Sequence, residues 1–303
     1  MDFDLTQDQT LFRDSVEKLL DKHRALPTGH ASYVIDGSTI RRELQEAGFI
    51  DIAKEEGCGA FEALLFVESV ARMPQAIEVA GSALVAPMIG ADVRGPVAIA
   101  FGAPVGRPIR FLPQAKTLLV SDGGQVQAFP VAAAEVENVE TPFAAPFGIL
   151  RRAPSGGRRL DASPAVFLQW CQVALAGEIA GTMKAALDLT VQYVKDRRQF
   201  GRPIGSFQAV QHRLSECAVL VHGAKLMAYR AALSGTAADA ALAATFAQDA
   251  AARLAYDTPQ FHGALGQTLE YPIHYWAYRL RALQGELDGV SAQGDRAAAS
   301  LWS

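Results

Sequence analysis

The chain has 303 residues, 50% of them hydrophobic, and a formal net charge of −4 at pH 7. This length allows two or three domains, and the hydrophobic content supplies a sizeable core and argues against disorder. The acidic balance argues against nucleic acid as a partner. Since no apolar run is long enough to span a bilayer, we expect no membrane insertion.

The cysteines and the first residues indicate a cellular compartment. Cys58, Cys171 and Cys217 are odd in number and widely spaced, which favours free thiols in a reducing setting. Residues 1–5 are acidic and lead directly into an amphipathic pattern, so we predict no signal peptide. A cytoplasmic location follows as the expectation.

Residues 1–95 predict an N-terminal helical domain. Thr6 and Gln9 have the spacing of a capping box, in which a hydroxyl and an amide side chain satisfy each other's backbone N–H groups. Apolar residues recur at helical spacing after this box and in two later segments. The predicted helices cover residues 6–23, 38–47 and 60–73.

Residues 96–162 predict a reduced middle β domain. Pro, Gly and Val become frequent there, and the runs VAIAF, IRFL, TLLVS and QVQAFPV predict short strands. Asp122 and the two glycines after it predict a hairpin turn. The segment is long enough for a small sheet only. We interpret RRAPSGGRRL, residues 151–160, as an exposed loop.

Residues 163–303 predict a C-terminal four-helix bundle, because apolar residues recur at spacings of three and four along four long segments. Gly177 and Gly181 on the first of these helices would allow close helix contact. Thr258 is predicted as the N-cap of a short turn. The fold class is therefore α+β and mostly α, with a helical domain, a small shortened sheet domain and a bundle.

A cluster of cations lies between the first two bundle helices, in YVKDRRQFGRPIGSFQAVQH, residues 193–212. Gly201 and Gly205 interrupt the helical pattern, and Ser206 is predicted as the N-cap of the next helix. The charged residues are Lys195, Asp196, Arg197, Arg198 and Arg202. Such a donor-rich corner at a helix start can hold a phosphate group. A solvated arginine face is the alternative.

Two stretches of the chain resemble one known family. The pattern R-x-Q-F-G-x-P-I-x-x-F-Q, from Arg197 to Gln208, resembles the signature of the C-terminal helical domain of acyl-CoA dehydrogenases. The stretch QFHGALGQTLEYP, from Gln260 to Pro272, resembles that family's Q-x-x-G-G-x-G-x-x-x-E-x-P segment. Both occur in the expected order. The opening MDFDLTQDQTLFRDSV is also similar to the start of the family's N-terminal domain.

The resemblance implies FAD chemistry on an acyl-CoA thioester, with a 2-enoyl-CoA as the product and a flavoprotein as electron acceptor. In that family FAD is shared between subunits. Arg197 would bind the pyrophosphate as a charged fork, with Gln199 as a further donor, and Phe200 would form a wall near the adenine. The implied cofactor-binding residues are Arg197, Gln199, Phe200, Gln208, Gln260, Gly263 and Ala264. The histidines lack metal-ligand spacing, so no metal is expected.

The residues that hold the flavin ring in the family are not recognisable in the short middle segment. Gln172 occupies the position where many members carry arginine. This asymmetry suggests one subunit of a heteromeric enzyme, similar to the short subunits of acyl-CoA dehydrogenases that act on bulky, steroid-derived substrates. A self-sufficient homo-oligomer and a non-catalytic acyl-CoA or partner-binding scaffold are the alternatives.

The catalytic base should be a carboxylate in an apolar site. With one inserted residue, Asp288 and Gly289 fall on the Glu-Gly pair that carries the base in many family members, and Glu286 is the neighbouring candidate. A base supplied by the partner subunit is the third possibility. Glu178, on the first bundle helix, is predicted as a surface or interface acid.

Overall fold

A computed structural model describes residues 3–26, 32–132 and 135–302; residues 1 and 2 of the acidic opening lie outside these ranges. The described helices are α1 Gln7–Asp21, α2 Ser38–Glu46, α3 Ala60–Ala71, α4 Ala86–Met88, α5 Pro164–Asp196, α6 Gln208–Ser234, α7 Ala237–Phe261, α8 His274–Gln284 and α9 Gly289–Trp302. None of them is both long and apolar enough to cross a bilayer.

The strands form two small sheets and one hairpin. They are β1 Val97–Phe101, β2 Ile109–Arg110, β3 Thr117–Ser121, β4 Val126–Pro130, β5 Val136–Val139, β6 Phe147–Leu150, β7 Arg158–Arg159, β8 Arg198–Gln199 and β9 Arg202–Pro203. One sheet has the order β1-β3-β4-β7 and the other β2-β6-β5. β1 and β3 are parallel, and the remaining pairs are antiparallel.

The N-terminal helices begin as the sequence predicts. Thr6 Oγ1 accepts a hydrogen bond from Gln9 N at 3.2 Å, and Gln9 Oε1 accepts one from Thr6 N at 2.9 Å, which completes the capping box of α1. α1 packs against α3 and buries Val16 and Leu20. The π-helical turn Ala80–Val85 and α4 were not predicted.

The middle segment agrees only partly with its strand predictions. The hairpin turn between β3 and β4 is confirmed, and Asp122 Oδ1 accepts hydrogen bonds from Gly124 N and Gln125 N, both at 3.1 Å. The loop interpretation of residues 151–160 is wrong at its end, because Arg158–Arg159 pairs with β4 as an edge strand. β5 and β6 were not predicted.

The 33-residue helix α5 connects the parts of the fold: it packs against α3, α6, α7 and α8. A Cβ at Gly177 would collide with Leu64, and one at Gly181 with the Glu68 carbonyl, so the predicted close contact is confirmed. The unpredicted helix α9 packs on α7. The mostly helical fold with small middle sheets and a helical C-terminal region is confirmed.

Candidate functional site

The cation cluster forms a tight hairpin directly after α5. β8 and β9 pair across a two-residue turn in which Phe200 has φ +54° and Gly201 has φ +79°. Two successive positive φ angles define a type I′ turn, which suits the twist of a hairpin. Glycine adopts this conformation freely, whereas a phenylalanine there is strained. The sequence therefore places an aromatic side chain at the tip of the hairpin at an energetic cost.

The start of α6 differs from the prediction for Ser206. Phe207 occupies the N-cap position, and Ser206 lies in the preceding 3₁₀ turn, where its hydroxyl donates to Pro203 O at 2.7 Å. The prediction fails because that turn packs closely on α5: a Cβ at Gly205 would lie 3.0 Å from Val194 O. Arg202 lies over the Phe207 ring at 4.1 Å.

The side chains assigned to the cofactor on this hairpin face outward. Arg197, Gln199, Phe200 and Gln208 are all exposed, and Phe200 is 90% exposed. Within the described ranges, Arg197 and Gln208 have no polar side-chain partner, and Gln199 Nε2 bonds only to its neighbour's carbonyl, Arg198 O, at 2.7 Å. These donors are therefore available to a ligand.

The second cofactor segment follows the end of α7. Gln260, Gly263 and Ala264 are exposed, and Gly263 has φ +60° at the start of a 3₁₀ turn. A Cβ at the buried Gly266 would collide with the backbone of Pro259, so this turn folds back onto α7. The N-cap prediction for Thr258 is wrong: it lies inside α7, buried, and its hydroxyl donates to Leu254 O at 2.8 Å.

A half-buried aromatic cluster, with the buried His262 at its centre, brings the two segments together. The His262 ring lies between the rings of Tyr193 and Tyr271, at centroid distances of 4.4 and 4.7 Å. His262 Nδ1 lies 2.7 Å from Thr258 O, so it is the nitrogen that carries the proton. Burial lowers the pKa of His262. Tyr193 is one turn before Arg197, and His262 is two residues after Gln260. The same ring cluster therefore anchors both cofactor segments.

The donor set fits a pyrophosphate. A guanidinium offers two parallel donors to phosphate oxygens, and Arg197 presents one on the surface beside Gln199. The positive φ of Gly263 and the open space around its Cα would let a ligand approach the backbone. The assignments that the resemblance implies for these residues stay a prediction.

The two candidate bases lie in the loop between α8 and α9, but they face different surroundings. Asp288 is exposed, and its Oδ2 accepts from Arg296 Nη2 at 2.7 Å. Glu286 Oε1 accepts from Arg110 Nε at 2.9 Å, at the boundary between the sheets and the bundle. Leu287, Asp288 and Gly289 have φ of +55°, +72° and +79°, so two residues here carry backbone strain.

Arg110 joins Glu286 to Glu178, and sequence reasoning missed it. Its Nη1 and Nη2 donate to the Glu178 carboxylate at 2.5 and 2.9 Å. The surface prediction for Glu178 is wrong, because this carboxylate is buried at 8% exposure against β2. Burial would lower the pKa of Arg110, but the two carboxylates raise it above its usual value. A lone arginine in the predicted strand IRFL was the available signal.

These three side chains border a small cavity. Its volume is about 60 Å³, and apolar residues of α3 and β1 form much of its wall. Drug-sized ligands occupy pockets of roughly 300–1,000 Å³. This cavity is therefore too small for a large acyl group, but a second cavity of about 310 Å³ borders Arg110, Glu286 and Asp288 beside β1 and β2.

Gln172, where many relatives carry arginine, supports the loop of the candidate bases. It is buried, and its Nε2 donates to Gln293 Oε1 at 2.6 Å; Gln293 Nε2 donates in turn to Leu287 O at 2.5 Å. Gln293 could not be found from the sequence, because α9 was not predicted. Among the side chains that the structure describes, no group of three or more His, Cys, Asp or Glu could hold a metal ion.

Comparison with known proteins identifies the C-terminal part of the chain. Residues 165–289 match the family described as "Acyl-CoA dehydrogenase, C-terminal domain". The acyl-CoA dehydrogenase IpdE2 of Mycolicibacterium smegmatis is 40% identical over 105 residues, which is 35% of this chain and 34% of IpdE2. The matched segment thus spans about a third of that relative.

Solved structures extend the similarity to the whole chain. The Tcur3481-Tcur3483 steroid ACAD (acyl-CoA dehydrogenase) has a TM-score of 0.74 at 23% identity, covering 97% of this chain and 98% of that chain. The ChsE4-ChsE5 complex from Mycobacterium tuberculosis has a TM-score of 0.78 at 21% identity, covering 99% of each chain. Such identities establish the fold. The resemblance is thereby confirmed: this chain has the acyl-CoA dehydrogenase fold, and residues 165–289 match the acyl-CoA dehydrogenase C-terminal domain family.

Proposed function

We propose that this chain is one subunit of an FAD-dependent acyl-CoA dehydrogenase that introduces an α,β double bond into an acyl-CoA thioester, with the FAD site shared with a second subunit. One observation carries the proposal. The side chains of both cofactor segments are exposed around one half-buried aromatic cluster, and no described part of this chain covers them. A surface of this kind is completed by another molecule.

In the assembled enzyme, this corner would hold the pyrophosphate and adenine side of FAD. Arg197 and Gln199 donate to the pyrophosphate, and Phe200 presents its ring to the adenine. Gln208, at the start of α6, lies at the same corner. Gln260, Gly263 and Ala264 bring backbone close to the cofactor. Ala264 stands where the family usually has glycine, so the approach there is slightly less close.

The reaction itself needs a hydride acceptor and a proton acceptor. The bound flavin would accept the hydride from the substrate β carbon, while a carboxylate takes the α proton. In this chain, Glu286 and Asp288 are each held by an arginine, Arg110 and Arg296. This engagement supports a base that belongs to the partner subunit.

The partner and substrate follow from the same proposal. The relatives whose chains match this one over nearly its whole length include a steroid ACAD and the ChsE4-ChsE5 complex. They support a heteromer that acts on a bulky, steroid-derived acyl-CoA, and a cytoplasmic location is part of the same proposal. We expect a flavoprotein to accept electrons from the reduced flavin. The cavity of about 310 Å³ beside Arg110, Glu286 and Asp288 is within the size range of small-molecule pockets, so this chain would have room for part of the acyl group.

The engagement of both candidate bases by arginines also favours a second candidate function, a subunit that scaffolds a dehydrogenase without taking part in its chemistry. Glu178, Arg110 and Glu286 form one charged group between the sheets and the bundle. Such a subunit would have no need for exposed cofactor donors, so Arg197 and its neighbours distinguish the two candidates.

The test is the visible absorption spectrum of the chain, purified alone and after co-expression with a full-length paralogue. Flavin only in the co-expressed complex is the expected result. Arg197→Ala should then lower the flavin content without unfolding the complex, whereas Arg198→Ala, in the same hairpin, should leave it unchanged. Equal flavin content in both variants would refute the pyrophosphate assignment. Flavin and activity in the chain alone would instead establish a self-sufficient homo-oligomer.

A further inference from the structure

A buried ionic link lies beneath the cofactor corner. Asp257, on α7, has a side-chain exposure of 0%. Its Oδ1 accepts a hydrogen bond from Arg213 Nη2, on α6, and its Oδ2 accepts one from Arg253 Nε. Cys217 Sγ, also on α6, lies 3.7 Å from Oδ2. Both carboxylate oxygens are therefore occupied, and one buried group ties the two helices.

The link lies close in sequence to both cofactor segments. Arg213 is five residues after Gln208, the last residue of the first motif, and Asp257 is three residues before Gln260, the first residue of the second. Because each helix is rigid over one or two turns, fixing Arg213 against Asp257 fixes the spacing of the two motif ends.

The charge of this group is suited to holding a geometry. Burial would raise the pKa of Asp257, but the hydrogen bonds from Arg213 and Arg253 lower it below its usual value, so the carboxylate is ionised at neutral pH. Arg213 and Arg253 keep 39% and 45% of their side chains in contact with solvent. A buried ion pair often adds little net stability, yet it specifies one arrangement of its partners.

We infer that Asp257 is a positioning residue for the cofactor: through Arg213 it sets the separation between the Arg197–Gln208 and Gln260–Ala264 segments, so that one FAD meets both. The inference rests on the proposed function, since it concerns the same cofactor corner. Asp257 touches no cofactor atom; it acts through the ends of α6 and α7.

The chain offers a matched control on the same two helices. Arg230 on α6 and Asp239 on α7 form a second ion pair, 2.9 Å between Nε and Oδ1, at the opposite end of the helix pair. Asp239→Asn removes an α6–α7 link without touching the cofactor corner. Asp257→Asn removes the buried charge with little change in volume. Arg213→Gln is a milder variant that removes the guanidinium joining Asp257 to α6, from a side chain that is 39% exposed.

The measurement is the FAD dissociation constant of the flavin-binding assembly, by flavin fluorescence, together with the melting temperature. Asp257→Asn should weaken FAD binding by about tenfold or more, as expected when ligand partners shift by a fraction of an ångström. Asp239→Asn should lower the melting temperature without changing FAD affinity. In an Arg197→Ala background, Asp257→Asn should cost less affinity than it does alone, because the two share one mechanism.

The outcomes separate the two ideas. If the unmodified assembly binds no FAD, the proposed function fails. If it binds FAD and Asp257→Asn changes affinity no more than Asp239→Asn, the positioning role alone is overturned. If Asp257→Asn does not fold, Arg213→Gln decides: a weaker FAD affinity in a folded assembly supports the role, and an unchanged affinity overturns it.

Discussion

The guanidinium of Arg110 on β2 donates two hydrogen bonds to the carboxylate of Glu178 on α5, at 2.5 and 2.9 Å. Arg110→Met would leave Glu178 buried without its ion-pair partner. Removing one partner of a buried pair costs about 3–5 kcal/mol of unfolding free energy. We expect a loss of this size in urea denaturation of the chain or its complex.

The control for Arg110→Met is Arg151→Met, which breaks the exposed pair between Arg151 and Glu137. That change should cost less than about 1 kcal/mol, because solvent screens exposed charges. Adding Glu178→Gln to Arg110→Met should recover part of the loss. Equal losses of unfolding free energy in the two arginine variants would show that the buried pair contributes no more stability than the exposed pair.

Phe200 is a position where stability and cofactor binding oppose each other. Its φ of +54° is strained for phenylalanine, and its side chain is 90% exposed. Phe200→Asn should raise the unfolding free energy by about 0.5–1 kcal/mol, because asparagine tolerates this conformation better. The same variant should bind FAD less tightly. A Phe200→Asn variant that is less stable and binds FAD as tightly as before would contradict both expectations, for stability and for binding.

The buried His262 makes stability depend on pH. Because burial lowers the pKa of His262 below its ordinary value near 6.5, the unfolded chain binds the proton more readily than the folded one. The stability that the neutral, buried His262 contributes is fully present above about pH 6.5. It is lost as the pH falls through the folded-state pKa of His262.

The measurement is the melting temperature of the wild-type chain and of His262→Phe between pH 7.5 and 5. The phenylalanine ring keeps the contacts with Tyr193 and Tyr271 but has no proton to bind. We expect a smaller drop of the melting temperature on acidification in the variant. Since burial also lowers the pKa of His274, some dependence should remain. Identical pH profiles would remove His262 as the cause.

The location of the base is tested with Glu286→Gln and Asp288→Asn in the assembled enzyme. If the partner supplies the base, kcat should change by less than about threefold in both variants. Loss of a true general base lowers the rate by about 10²–10⁴-fold. A loss of that size in Glu286→Gln, with Asp288→Asn unaffected, would place the base in this chain, next to Arg110.

Much of the fold could be predicted because its helices carry regular apolar stripes. The capping box of Thr6 and the glycine pair of α5 are local signals with one structural meaning. α9 has no such stripe, because its buried residues are Gln293 and Ala297. Its apolar pattern therefore does not predict a helix. β5 and β6 are four-residue strands whose pairing depends on distant partners.

Some residues of the candidate site could likewise be predicted from the sequence, and others could not. Arg197 and Gln260 lie within contiguous motifs, so resemblance could identify them. Arg110, by contrast, contacts residues 68 and 176 positions away, and no local pattern encodes such a contact. The N-cap predictions for Ser206 and Thr258 failed because neighbouring turns already place those residues inside other elements. The domain boundaries after residues 95 and 162 remain a prediction.

The close fit of α3 against Gly177 and Gly181 limits how the protein can be divided. A truncated chain starting at residue 163 would keep both glycines but lose the side chains that fill the space beside them. Its exposed strip of α5 would be apolar and therefore prone to self-association in solution. The cofactor corner at the far end of α5 is thus better studied in full-length protein than in an excised helical half.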